Sequence, residues 1–210
     1  MPVPSPQYPV NLCLAGRPVL VVGGGPVALR KVEGLLAADA RVHVVAPEID
    51  GGILALGEAV SSQQRPYRRG EAARYRLVIT ATGDAAVDQS VHDDAEAAGV
   101  WVNSADDPDR CSFTLPAVVR RGPLLVTVST GGHSPAVASW LRSRLDAELG
   151  PEYEVLVQLV ADARAEVQAA GHSTEGLAWH KALDSDMLAL IRGGHISEAR
   201  EHLLACLSSS

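Results

Sequence analysis

The sequence predicts an α/β protein: a Rossmann-like parallel sheet, then a β-hairpin and helix, then a small C-terminal helical domain. Three observations predict it. Short, continuous apolar runs alternate with helix-like stretches through the first half of the chain. The glycine string Gly23-Gly24-Gly25 separates the first run from a helix with Pro26 in its first turn. After Asp109 the alternation gives way to two β-rich runs, and then to helix alone.

Val19–Gly23 is apolar throughout, as a strand buried on both faces must be. Pro26–Ala38 reads as a helix and Val42–Ala46 as a second buried strand. A short helix is expected over Gly51–Glu58 and a more polar strand over Val60–Tyr67. Leu77–Thr82 is a third strong strand, and the turn Gly83-Asp84 leads to a helix ending at Gly99. Val100–Asn103 is another strand. Short loops between alternating strands and helices require parallel pairing with right-handed crossovers.

Beyond Asp109, "SFTLPAVVRRGPLLVTVST" reads as an antiparallel hairpin turning at Arg121-Gly122-Pro123. Ser134 is placed to cap a helix with Pro135 at its first position, and Gly150-Pro151 ends it near Leu149. Tyr153, Leu156, Val160, Ala163 and Val167 mark one face of the next helix. Gly171–Thr174 breaks it, and two shorter helices follow, around Trp179–Ile191 and Ser197–Leu207.

The chain has 210 residues and a net charge of −7, which argues against a nucleic-acid partner. Its three cysteines are widely spaced, so neither a disulfide framework nor a metal site is expected. No apolar run approaches the ~20 residues of a membrane span. The N-terminal stretch lacks the pattern of a secretion signal, and the expected location is cytoplasmic. Within this acidic chain, Arg110–Leu145 holds five arginines and no Asp or Glu. That segment reads either as chance in an arginine-rich protein or as a local anion site.

Gly23, Gly25 and Ala28 fit the spacing G-x-G-x-x-G/A. The first position permits a sharp exit from the strand. The second lets a pyrophosphate approach the backbone, and the third lets the helix pack closely on the sheet. Pro26 and Val27 open the helix, whose N-terminal N–H groups attract phosphate. Pro47 and Glu48 end the second strand, where an acidic residue can hold a ribose 2′-hydroxyl. No arginine follows Glu48 closely, so NAD is expected rather than NADP. Thr82 and Gly83 end another strand, where ligands collect in such sheets. The stretch "NSADDPD" offers Asp106, Asp107 and Asp109. It reads as a surface turn or as the seat of a general base, and spacing does not choose among the three.

With these blocks in order, the chain resembles precorrin-2 dehydrogenase, the NAD-dependent module of siroheme synthase. The resemblance rests on "YPVNLCLAGRPVLVVGGGPVALRKVEGLL", "VVAPE", "VITATGD", "VNSADDPDRCSFTLPA" and "LLVTVSTGGHSPAVASWLRSRL". It implies oxidation of precorrin-2 to sirohydrochlorin with NAD as hydride acceptor, and in some members insertion of Fe²⁺. The family's essential aspartate falls on Asp106. Asn103 joins the residues expected at the cofactor. The implied organisation is an NAD-binding domain over residues 1–111, a dimerisation and substrate-binding segment over 112–150, and a helical domain over 151–210. A homodimer is implied.

A tetrapyrrole carrying many carboxylates is a polyanion, which gives the arginine-rich segment a purpose. Arg120, Arg121, Ser129, Thr130, Gly131 and His133 are the residues expected at such a substrate. An ordinary Asp, with a pKa near ~3.9, is a weak base, so partial burial of Asp106 is expected. Cys111 lacks a visible base partner and reads as packing. Trp140 and Trp179 read as core or interface residues. Two alternatives stand beside this reading. A non-enzymatic NAD-sensing domain would need the glycines but not the acidic turn or the arginines. A dehydrogenase of another small substrate would ordinarily show a Tyr-x-x-x-Lys pair or a catalytic His.

Overall fold

The computed structural model describes residues 6–183 and 186–208. The chain forms two compact units, Met1–Leu115 with Gly131–His133, and Pro116–Thr130 with Ser134–Ser210.

The first unit is a parallel sheet of β1 (Pro18–Val22), β2 (Arg41–Ala46), β3 (Val60–Gln64), β4 (Leu77–Thr80) and β5 (Trp101–Ser104). Its order is β3-β2-β1-β4-β5, so the winding direction reverses between β1 and β4. In such sheets ligands bind beyond the carboxyl ends of the strands at that reversal. The helices are α1 (Pro26–Leu36), α2 (Gly51–Ala55) and α3 (Ala85–Ala97). Successive side chains of β1 go to opposite faces. Val19 and Val21 pack with Ala28, Val32 and Leu35 of α1, and Leu20 and Val22 with Val91 and Ala95 of α3. Burial on both faces explains the unbroken apolar run, and each such side chain contributes about 1.5–3 kcal/mol.

Boundaries differ from expectation where local bonds intervene. The polar strand β3 ends at Gln64: the Arg65 N–H makes the last bond of its ladder with β2, to the Ala46 carbonyl (2.8 Å), and Pro66, which has no N–H to continue it, follows. The Arg65 guanidinium then forks onto Glu71 at 3.0 and 2.7 Å. The helix α1 closes with Asp39 in the left-handed region (φ +55). The Asp39 N–H donates to the Leu36 carbonyl and the Ala40 N–H to that of Leu35, the paired bonds of a helix C-terminus that glycine usually closes.

The second unit begins with the antiparallel hairpin β6 (Ala117–Arg121) and β7 (Leu124–Val128). Gly122, at φ +51, takes the first place of its two-residue loop, where a positive φ suits a hairpin. The helix α4 (Pro135–Glu148) is capped by Ser134, whose Oγ accepts from the Val137 N–H at 3.2 Å. Among the described residues four more helices follow: α5 (Glu152–Ala169), α6 (Trp179–Leu183), α7 (Met187–Arg192) and α8 (Ile196–Ser208). Their core gathers Leu159, Ala163, Met187, Ile191 and Leu203. On α5, Ala163 of the expected face is buried and Leu156 and Val160 pack against the same core, which Leu159 and Val155 join because this helix is apolar on more than one side. The single helix expected over Trp179–Ile191 is two short ones, with residues 184–185 outside the described residues.

Candidate active site

The glycine turn after β1 is wedged between two neighbouring loops. Gly23 has φ +125, and a Cβ there would be driven into the Ala81 carbonyl group, with the Ala81 carbon at 2.6 Å. A Cβ on Gly24 would strike the Glu48 carbonyl and lie 2.9 Å from the Ala46 Cβ. The Asp50 N–H donates to the Gly24 carbonyl at 2.8 Å, and the Ala81 N–H to Val22 at 2.8 Å. The loops after β1, β2 and β4 thus interlock backbone to backbone. Gly24 was not among the residues singled out from the sequence. The close approach that demands it comes from a loop more than twenty residues away, which spacing does not reveal.

Gly25 is different. A Cβ there would meet nothing within 4 Å. It is the N-cap residue of α1, no side chain caps that end, and Pro26 occupies the first turn. The first-turn N–H groups, among them that of Val27, have no intrahelical acceptor. Open space, free donors and the positive end of the helix dipole fit a pyrophosphate. Ala28 is fully buried against the sheet, as its place in the spacing requires.

The other predicted cofactor residues lie at the same edge of the sheet. Pro47 and Glu48 follow β2 and are exposed. Thr82 and Gly83 follow β4, with Gly83 at φ +71. Asn103 lies near the end of β5 and is buried, and its amide donates to the Phe113 carbonyl at 2.9 Å and contacts the Cys111 Sγ at 3.4 Å. Its side chain is therefore engaged in holding the chain that follows the acidic turn.

That turn is anchored at both ends of its span. The Ala105 N–H donates to Thr80 at 2.9 Å, and the Ser112 N–H to Val102 at 2.8 Å. Phe113 packs on the α1 face of the core and against Trp101. Cys111 sits inside the turn, where its Sγ accepts from the Ser104 N–H (3.2 Å) and lies 3.3 Å from the carbonyls of Ser104 and Asp107. Burial pushes its thiol up, so it is a packing residue rather than a nucleophile.

One of the three carboxylates is set apart. Asp107 caps the short turn Pro108–Arg110 through the Asp109 N–H (2.9 Å) and pairs with Arg110 at 3.1 Å. Asp106, two residues beyond β5, is exposed and has no side-chain bond or ion pair among the described residues. The expected partial burial of Asp106 is not present, because the turn projects it past the strand ends. Lys31 of α1 is a neighbour the sequence did not suggest. Burial, then Arg30, pushes its ammonium below the usual lysine range, and Cys111 lies within its electrostatic reach.

In the second unit Arg120 is exposed. Arg121 is engaged with the end of α4. Its Nε donates to the Leu149 carbonyl at 2.6 Å, and its Nη2 to the Asp146 carbonyl and Oδ1 at 2.8 and 2.9 Å. Thr130 Oγ1 accepts from the Ser134 N–H and approaches its carbonyl, both at 3.1 Å, bracing the loop before α4. Ser129 and His133 are exposed and Gly131 is half-buried. Among the described residues no three His, Cys, Asp or Glu side chains gather as metal ligands, and no helix is long and apolar enough to cross a membrane.

The reversal of strand order and the open helix N-terminus beside it define a dinucleotide-binding α/β protein. Comparison with known proteins agrees. A family model described as "Putative NAD(P)-binding" matches residues 10–117, and this chain belongs to that family. It is 36% identical over 208 residues to a siroheme synthase of Nitrosomonas eutropha, covering 97% of this chain and 44% of that protein. It is 37% identical over 206 residues to one of Nitrosococcus oceani, again covering 44% of it. The chain thus spans less than half the length of these relatives. A solved structure of SirC, a precorrin-2 dehydrogenase, matches with a TM-score of 0.73 at 26% identity, covering 95% of this chain and 98% of that one.

Proposed function

We propose that this chain oxidises precorrin-2 to sirohydrochlorin, with NAD as hydride acceptor and Asp106 as general base. The observation that carries the proposal is the pairing of an open phosphate cradle at Gly25 with an unengaged carboxylate beyond β5 of the same sheet. The end-to-end likeness to SirC supplies the substrate class. Bound NAD supplies a two-electron acceptor for hydride. The chain's residues do the rest. The N–H groups at the start of α1 take the pyrophosphate, and Glu48 accepts from the ribose hydroxyls. The substrate loses two hydrogens, one as hydride and one as a proton that the Asp106 carboxylate accepts. A positioned base contributes about 10²–10⁴ in rate. Because Asp106 is exposed, arriving substrate must displace its water before it acts.

Arg120, with the loop of Ser129, Thr130, Gly131 and His133, receives the substrate carboxylates. The protein works as a homodimer. The helix α4 buries only Ala138, while Val137 and Trp140 are 45% and 56% exposed. Both outer edges of the β6–β7 hairpin lack a strand partner among the described residues. A second copy covering this apolar face accounts for both.

The test is a single absorbance assay with precorrin-2 and NAD. The expected result is conversion by the wild type, and none by Asp106→Asn with NAD binding intact. Near-normal turnover by that variant excludes Asp106 as the base. Adding Fe²⁺ to the product in the same cuvette reads metal insertion directly.

A further inference from the structure

We infer that Asp88 is a positioning residue for the cofactor, holding the Thr82–Gly83 arm of the crevice through the Thr82 hydroxyl. This rests on the NAD-binding reading of that crevice. Asp88 lies in the first turn of α3 and is only 3% exposed. Its Oδ1 accepts from two hydroxyls, those of Thr80 and Thr82, the latter at 2.7 Å. It has no ion pair among the described residues. Burying a carboxylate without a cation is costly, and an alanine would fill the site on α3 more cheaply.

The two hydroxyls differ in what they hold. Thr80 is fully buried within the sheet and needs an acceptor for itself. Thr82 stands beyond the strand end, half-buried, in the loop that borders the crevice. Its oxygen accepts from the Asp84 N–H at 3.0 Å while its proton goes to Asp88. Asp84 in turn caps α3 through the N–H groups of Ala86 and Val87. The residues Thr82–Asp84 are therefore pinned from inside, and only Gly83 is left at the tip. The same loop starts at Ala81, whose carbonyl abuts Gly23 of the glycine turn. The Gly23 contact holds the base of this arm at Ala81, and Asp88 holds its outer part at Thr82.

The experiment measures the Kd for NAD by calorimetric titration, with Tm recorded beside it, for Thr82→Val, Asp88→Ala, Asp88→Asn and the double variant Thr82→Val/Asp88→Ala. Losing a hydrogen bond to a charged group weakens NAD binding by about tenfold in each of Thr82→Val and Asp88→Ala. The double variant is no weaker than either single one, because both changes release the same arm. Asp88→Asn, whose amide oxygen still accepts, binds within about threefold of wild type. A merely structural Asp88 would lower Tm without this coupling in Kd. Unchanged NAD affinity in Thr82→Val, or losses that add in the double variant, overturns the inference. Should Asp88→Ala not fold, Thr82→Val at its half-buried site decides alone. A wild type that does not bind NAD overturns the crevice reading as well, which separates the two failures.

Discussion

The three adjacent glycines should separate folding from binding when each is changed to alanine. For Gly25→Ala the new Cβ meets nothing within 4 Å, and the backbone at φ −87, ψ −173 is open to any L-residue. Reduced freedom of the unfolded chain contributes about 0.4–1 kcal/mol. Alanine's poorer capping costs about as much, so stability should stay within about 1 kcal/mol of wild type. For Gly24→Ala the methyl is forced onto the Glu48 carbonyl with the Ala46 Cβ 2.9 Å away, so backbone must shift. Overpacking of that kind costs about 1–3 kcal/mol, or a Tm lower by roughly 2–12 °C for a chain of this length. Gly23→Ala adds the strain of φ +125 and should be at least as damaging. Binding follows a different order. The space a Gly25 methyl enters is the space a pyrophosphate needs, and losing one charge-assisted bond to an N–H weakens NAD by about 10–100-fold. Differential scanning fluorimetry and calorimetric NAD titration on the three variants check this. A Gly25→Ala protein that binds NAD as the wild type does refutes the phosphate cradle.

Arg121→Ala should lower Tm by roughly 2–8 °C, because it frees the carbonyls at the end of α4 at a cost of about 1–2 kcal/mol, whereas Arg120→Ala should leave Tm unchanged and raise KM for substrate. Asp39→Gly should stabilise the protein by about 0.5–1 kcal/mol in urea titrations, since it relieves a left-handed non-glycine residue. Burial tends to raise the Glu71 carboxyl, but the Arg65 fork and the Arg68 N–H outweigh it and hold the group below its ordinary value. Its contribution is therefore present above the unfolded carboxyl value near ~4.3 and is lost as pH falls through the lower folded one. Urea titrations from pH 7 downward should show that acid loss in wild type and a reduced one in Arg65→Gln.

The sheet was legible because its signals are local. Runs such as Val19–Val22 carry their burial in composition, and the glycine spacing sits at the strand-to-helix turn where it acts. The dinucleotide edge followed from order alone. What stayed hidden was set by partners distant in sequence. The charge of the Arg110–Leu145 segment suggested five cations for substrate, but Arg110 pairs with Asp107, Arg121 is spent on Leu149 and Asp146, and Arg144 lies over the Trp140 ring. Only folding reveals which charges are already answered. Asp107 and Asp109 could not be set apart from Asp106 by spacing, and the cap and ion pair of Asp107 remove one of them. Asp88 was invisible for the same reason, being one unremarkable helix residue until Thr80 and Thr82 are brought to it.

The two halves of the proposed chemistry are built on different physical terms. The cofactor edge is stiff: its glycine turn touches the loops after β2 and β4 through backbone atoms, and the second of these is also pinned by a buried carboxylate. Such a cradle exists before its ligand arrives, so little ordering cost is charged to binding. The acidic turn is anchored just as firmly, through Val102, Thr80 and Asn103, yet it presents Asp106 to solvent. A stiff frame holding a solvated base makes proton removal depend on the substrate itself displacing water, while NAD binding does not. Substitutions in the glycine turn should therefore act on NAD affinity with or without substrate. Substitutions at Asp106 should act only when substrate is present.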